Sequence, residues 1–384
     1  MRSIRLVPEL RAVHLTRYRE TTPALLLYFT ENYDLAGEDV PPEIRKVALR
    51  DLPGLFWRSE CTFLEAPEPL WMRFLPRGAA IVALFKATGL LRGRRRRVGT
   101  YAMENNDLPT LIGGRRSVPA LAVRLFSTAL GLYMRLMIDR IVFASEGSRA
   151  VYTSIPGVGA IESTTIEELP TAVESDDADV LALSACFVGV LETRKGILAL
   201  MEAWERVEQQ LPTAHLDVVG PGEHADAVRE WVDRAPATRR LLGQLPRHEV
   251  LSLLARTQVL AAPSLPDGRW REQIGLPIKE ALSNGLTVVT THQTGLAGWL
   301  RGHGHRVVEL EGEGSLAGRL SGALIDALTG PLERPLVRAS LPAVEGRYAS
   351  DSWLHRERVA TSAPASVADP SPPAAVSPPN AARG

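Results

Sequence analysis

The chain has 384 residues, 45% of them hydrophobic, and its 44 basic and 44 acidic side chains cancel to a formal net charge of zero. Such a length exceeds one ordinary core and predicts two domains, while the charge balance excludes a general electrostatic pull toward nucleic acid. Two cysteines, Cys61 and Cys186, make neither a disulfide framework nor a metal site by spacing.

At the N-terminus, Arg2 and Arg5 are followed by Pro8, Glu9 and Arg11 rather than by an uninterrupted apolar segment, which does not read as a signal peptide. Lys86, Arg92 and Arg135 interrupt the most apolar stretches short of the ~20 residues that cross a bilayer, so a cytoplasmic location is expected. Residues 79–85 are apolar and lie just before the basic run Arg92, Arg94, Arg95, Arg96 and Arg97, a pairing that suits peripheral contact with the inner membrane face. Residues 97–103 and 139–145 read as strands, and 118–137 has helical spacing at Leu121, Leu125, Leu132 and Leu136. Glu104 and Asn105 stand in the polar stretch that follows the first of these strands, where a ligand contact and a plain turn are both open.

Residues 171–179, acidic and poor in apolar side chains, read as a linker between domains at 1–170 and 180–345. Beyond it, strands and helices alternate. A strand ends at Phe187 and Val188, another spans 216–220, and a helix over 223–234 aligns Ala227, Val228, Trp231 and Val232. A strand-like piece follows at 241–245, then a helix at 247–256, a strand at 259–263, a helix at 277–283 with Pro277 in its first position, and a strand at 286–291. This alternation predicts an α/β fold with a parallel, doubly wound sheet, whose ligands bind at the carboxyl ends of the strands. Gly220, Pro221 and Gly222 also resemble the start of a dinucleotide fingerprint, but the third position holds Ala225 and residues 240–244 offer no acid. Residues 362–384, rich in Pro, Ala and Ser, predict disorder.

Two segments of the C-terminal half hold residue types with chemical use. In 272–280, Glu272 and Glu280 bracket a turn that opens a helix. Gly275 lets an anion approach the backbone, Pro277 needs no N–H partner there, and a helix start attracts phosphate. A carboxylate at a helix N-terminus also gains about 0.3–1 kcal/mol without any ligand. In 187–196, a strand, a tight loop and a second helix start present Gly189, Arg194 and Lys195. Lys195 is one of four lysines, with Lys46, Lys86 and Lys279, in a chain that otherwise uses Arg.

These segments resemble the E-x7-E region and the G-R-L-x-x-x-K-G motif of retaining glycosyltransferases of the GT-B fold, glycosyltransferase family 4. The resemblance implies two Rossmann-like doubly wound domains facing a central cleft, with the acceptor-side domain at 1–170, the donor domain at 180–345, and a last helix in 346–361 crossing back to the N-terminal domain. It further implies transfer of a sugar, without metal or cofactor, from a UDP- or GDP-linked donor to a hydroxyl of a small-molecule or lipid-linked acceptor. Matched by position, Lys195 and Glu272 are catalytic, with Lys195 on the pyrophosphate and Glu272 on the donor sugar. Glu280 takes the ribose, and the backbone of Gly275 and Leu276 faces the sugar or its phosphates. Gly189 and Gly220 shape the nucleotide pocket, Gln244 and Leu245 hold the base, and Glu104 and Asn105 reach the acceptor or sugar. Where the motif has its Arg this chain has Val190, with Arg194 as the candidate replacement. No glycine-rich loop follows the first strand. These two departures keep open the alternative of a catalytically silent, nucleotide-binding GT-B partner protein.

Overall fold

The computed structural model describes residues 2–32, 35, 39–174 and 177–356, so the expected tail 362–384 lies outside the described residues. Seven parallel strands form the N-terminal sheet: β1 (Ser3–Leu10), β2 (Leu25–Glu31), β3 (Ile44–Lys46), β4 (Phe63–Ala66), β5 (Arg97–Ala102), β6 (Arg140–Phe143) and β7 (Glu162–Thr165), in the order β3-β2-β1-β4-β5-β6-β7. Six more form the second: β8 (Ser184–Val188), β9 (His215–Val219), β10 (Arg239–Gly243), β11 (Val259–Ala262), β12 (Thr287–Thr291) and β13 (Arg306–Val308), in the order β10-β9-β8-β11-β12-β13. Both orders reverse direction at their first strand, between β1 and β4 and between β8 and β11. A reversal of this kind leaves a crevice beyond the carboxyl ends of the two strands.

Parallel strands covered on both faces must be apolar throughout, and β8, β11 and β12 are buried along nearly their whole length. The helix Ile197–Gln210 buries Ile197, Leu200, Ala203, Trp204 and Val207 at three- and four-residue spacing. It packs on the helix Leu316–Thr329, which buries Leu320, Leu324 and Ala327. Each fully buried side chain of this size contributes about 1.5–3 kcal/mol relative to exposure. Burial also pushes the Cys186 thiol up, which leaves it a packing residue.

Some local expectations shift. The strand read at 241–245 begins at Arg239, because Arg239 is neutralised by Glu208 at 2.8 Å and Arg240 by Asp217 at 2.6 Å, and polarity masks strand residues paired in this way. The helix read from Pro277 starts at Leu276, with Pro277 in the second position. Strands β1 and β4 are interrupted by charge because Arg5 and Glu65 are buried within them as a 2.6 Å ion pair.

Two charged clusters join the lobes. Lys279 is buried with its Nζ 2.9 Å from Glu168 and 2.6 Å from Glu345. Burial raises the Glu168 carboxyl, but Lys279 and Arg17 outweigh it and hold the group below its ordinary range. The helix Gly346–His355 lies on the N-terminal sheet, with Leu354 packed among Phe63 and Val142, Arg347 2.6 Å from Glu65, and Asp351 paired with Arg5.

Candidate active site

The loops after β8 and β11 meet in the crevice of the second sheet. Gly196 makes this possible: its φ is +78°, and a Cβ there would stand 1.9 Å from the Pro263 carbonyl oxygen. The Leu265 N–H donates to the Arg194 carbonyl at 2.8 Å, closing the two loops together. Lys195 Nζ then reaches Glu272 Oε2 at 2.5 Å, and the Ser264 hydroxyl donates to the same oxygen at 3.1 Å. The Trp270 ring lies against both cations, 5.0 Å from Lys195 Nζ and 4.4 Å from the Arg194 guanidinium carbon. Arg194, which also pairs with Glu192 at 2.6 Å, therefore stands beside Lys195 although its place in the chain differs from that of Val190. A half-buried face of cations and one aromatic ring next to a helix start favours a bound anion.

Glu272 sits at that helix start, since a Cβ on Gly275 would lie 3.7 Å from its carboxyl carbon. Gly275 is the N-cap, with φ of +89°, and Leu276 opens the helix Leu276–Ser283. Glu280, on the second turn, has its Oε1 3.2 Å from Arg247 Nε. Burial raises the Glu280 carboxyl, with Arg247 pulling the other way. Arg247 begins the helix Arg247–Arg256, just after Gln244 and Leu245. Of the expected trio Lys195, Glu272 and Glu280, Lys195 and Glu272 are in direct contact. Lys195 and Arg194 lie against Trp270, with Lys195 also paired to Glu272, while Glu280 pairs with Arg247, which opens its helix just after Gln244 and Leu245 in the chain. Gly189 and Gly220 close the floor, where the Gly189 N–H donates to the Val219 carbonyl at 3.0 Å and the Gly220 N–H to that of Gly243 at 2.8 Å.

Between the lobes lies a cleft of about 820 Å³ whose walls include Glu272, Trp270 and Arg271 from the second lobe and Arg11, His14, Trp71 and Glu104 from the first. Glu104 lines it as an acid raised by burial, its Oε1 accepting the N–H groups of Asn105 at 3.1 Å and Asn106 at 3.0 Å. Asn105 takes a different role from the one expected. Its amide nitrogen donates to the Glu272 carbonyl at 3.0 Å and the Gln293 carbonyl at 3.4 Å, which makes it a brace between lobes rather than an open sugar contact. Arg271 completes the brace by donating to the Asn105 carbonyl at 2.9 Å, and Arg269 donates to the Leu111 and Ile112 carbonyls at 2.7 and 2.6 Å. Behind Glu104, Glu68 is pushed up to about 7 by burial, against the opposing pull of the Met103 and Glu104 N–H groups.

Sequence reasoning missed Ser264, Trp270, Arg247 and Arg271. The run Arg269, Trp270, Arg271 directly before Glu272 was a usable signal, since an aromatic between two guanidinium groups beside a candidate acid suits anion and sugar contact. Within the basic run 92–97, three arginines are engaged inside their own lobe. Arg96 is buried, donates to the Phe56 carbonyl at 2.6 Å and the Phe85 carbonyl at 3.1 Å, and lies over the Phe85 ring; Arg92 and Arg94 pair with Glu60. Among the described residues the one grouping with metal-ligand geometry is Glu65, Asp351 and His355, and its acids already face Arg5 and Arg347.

Residues 182–326 match the family model described as Glycosyl transferases group 1. A stretch of 100 residues is 33% identical to phosphatidyl-myo-inositol mannosyltransferases of Mycobacterium tuberculosis and Mycobacterium bovis, covering 26% of this chain and 25% of theirs. The match thus spans about a quarter of those relatives. Among solved structures, Anabaena Alr3699/HepE in complex with UDP superposes with a TM-score of 0.60 at 13% identity, covering 92% of this chain and 95% of that one. A UDP-forming trehalose-phosphate synthase from Burkholderia xenovorans gives 0.52 at 13% identity, over 92% and 94% of the two chains. At such identities the likeness concerns the fold. The chain therefore has the GT-B fold, two Rossmann-like lobes about a cleft, and its C-terminal lobe is similar to the glycosyl transferases group 1.

Proposed function

We propose that this protein is a retaining glycosyltransferase of family 4 type that moves a sugar, without metal or cofactor, from a UDP- or GDP-linked donor to an acceptor hydroxyl. The observation that carries this reading is the Lys195–Glu272 contact at the switch point, against Trp270 and beside the helix start at Leu276. In this reading the donor diphosphate takes Lys195, Arg194 and the N–H groups of the helix start. Both hydrogen bonds to Glu272 fall on Oε2, so Oε1 is the oxygen for a sugar hydroxyl. Glu280 holds the ribose and the Gln244–Leu245 turn the base. As the bond from the sugar to the phosphate oxygen breaks and the bond to the acceptor oxygen forms on the same face, the acceptor proton passes to the leaving phosphate. Stabilising that leaving charge is the main catalytic contribution.

A thermal-shift screen of UDP, GDP, ADP, dTDP and NAD tests the donor. The expected result is stabilisation by UDP or GDP, worth about 2.7 kcal/mol at 100 times the dissociation constant; a response to NAD alone would overturn the reading. The substitution of Val190 for the motif Arg favours the second reading, a nucleotide-binding partner without turnover. Donor consumption measured with EDTA present separates the two, because a silent partner binds nucleotide and consumes none.

The proposal places the protein in the cytoplasm, at an anionic membrane face. The helix Ala120–Met137 is long and apolar enough to cross a membrane but is 22% buried, packing Ser127, Leu130, Gly131 and Met134 onto its lobe. Its outer face exposes Leu121, Leu125, Leu132 and Leu136, each 59–68% accessible, with exposed Arg124 and Arg135 along one edge of the stripe. An apolar stripe edged by cations fits a helix lying in the headgroup region. Sedimentation with phosphatidylglycerol vesicles is expected to carry the protein down, and Leu125→Glu with Leu132→Glu to release it; equal sedimentation with neutral vesicles would count against the electrostatic part.

A further inference from the structure

Resting on that reading of the cleft, we propose that Trp270 is a positioning residue for the donor diphosphate: its ring holds the Arg194 and Lys195 side chains together, so that Arg194 supplies the cation missing at Val190. Both cations belong to the short turn Thr193–Lys195, which closes onto the loop after β11. What their side chains meet there is the indole. Arg194 Cζ lies over the ring 4.4 Å from its centroid and Lys195 Nζ lies 5.0 Å from it, inside the ~6 Å over which a ring face attracts a cation. Two neighbouring like charges on long stems otherwise repel and sample many rotamers. A ring that attracts both removes that disorder before a ligand arrives, so less of it is charged against binding.

Each cation keeps donors for a ligand. Arg194 Nε faces Glu192 at 2.6 Å, and among the described residues no acceptor is hydrogen-bonded to its two Nη nitrogens. Lys195 carries three N–H donors and gives one of them to Glu272 Oε2 at 2.5 Å. A guanidinium over a ring still donates along its edge, which suits a phosphate. The indole is itself fixed from the first lobe. Gly268, with φ of +55°, lets residues 267–270 fold back, and Asp267 and Trp270 exchange backbone N–H bonds of 3.1 and 2.9 Å. Arg115 of the first lobe pairs with Asp267, Arg269 donates to the Leu111 and Ile112 carbonyls, and the Asn106 amide donates to the Arg269 carbonyl at 3.2 Å. The contact between lobes thus reaches the donor cations through one ring.

Calorimetric titration with inorganic pyrophosphate, UDP and GDP tests this, with uridine and guanosine as controls. The parent is expected to bind pyrophosphate and a nucleoside diphosphate. Trp270→Leu is expected to weaken both about tenfold, with the matching nucleoside unaffected and the cooperative thermal transition kept. Trp270→Phe, which retains a ring, is expected to restore most of the loss. In an Arg194→Gln background the leucine substitution should cost less than in the parent, because part of what the ring holds is gone. Absence of pyrophosphate binding by the parent, or equal or tighter binding by Trp270→Leu, overturns the proposal. So does a phenylalanine protein no better than the leucine one, or an undiminished loss in the Arg194→Gln background. Pyrophosphate binding that depends on Trp270, with neither UDP nor GDP bound, removes the donor reading alone.

Discussion

Lys195→Ala is expected to lower sugar transfer by about 10²–10³ at saturating donor while the protein melts within a few degrees of the parent. Lys195 is 21% and Glu272 14% exposed at the side chain, and a pair with this access to water contributes little to stability. In the proposed reaction its place beside Trp270 and the helix start matters more, because the charge it would meet grows as the donor bond breaks. An interaction that strengthens in the transition state shows in kcat rather than in donor KM. Lys195→Arg is expected to restore little, since a planar fork does not reproduce a point charge 2.5 Å from Glu272 Oε2. Initial rates at saturating donor decide the matter. Transfer at the parent rate by the alanine protein would remove Lys195 from the site.

Glu280→Ala is expected to act on binding instead, raising donor KM about 10- to 100-fold, the worth of a hydrogen bond to a charged group at about 1.5–3 kcal/mol. The stability cost should be small, because burial raises this carboxyl and only Arg247 opposes the penalty. A comparison of UDP with 2′-deoxy-UDP makes the effect specific. The parent should prefer the ribonucleotide and Glu280→Ala should bind both alike. Unchanged discrimination in the variant would place the ribose elsewhere.

How far the sequence could be read follows the distance over which each feature is decided. The β11 strand, the helix after Gly275 and the β12 strand stood out because local apolar periodicity and a Gly-x-Pro turn specify them. Strands β1 and β4 did not, because the partner that lets Arg5 enter a sheet is Glu65, sixty positions away. The same limit applied to charges. Arg96 looked like surface and is interior, because the Phe56 and Phe85 carbonyls and the Thr88 hydroxyl accept from its guanidinium. Lys279 looked like an ordinary part of the E-x7-E segment, yet it joins the lobes through Glu168 and Glu345.

By itself, then, the order of residues determined the alternating α/β architecture and the positions of Lys195, Glu272 and Glu280, because strand and helix periods and helix-start chemistry act over a few neighbours. Only tertiary structure decided that Lys195 meets Glu272 while Glu280 pairs with Arg247, that Asn105 braces the lobes, and that Trp270 lies over Arg194 and Lys195. Those relations depend on side-chain direction and on how the loops after β8 and β11 pack, and a carboxylate takes whichever cation the folded chain brings within about 3 Å.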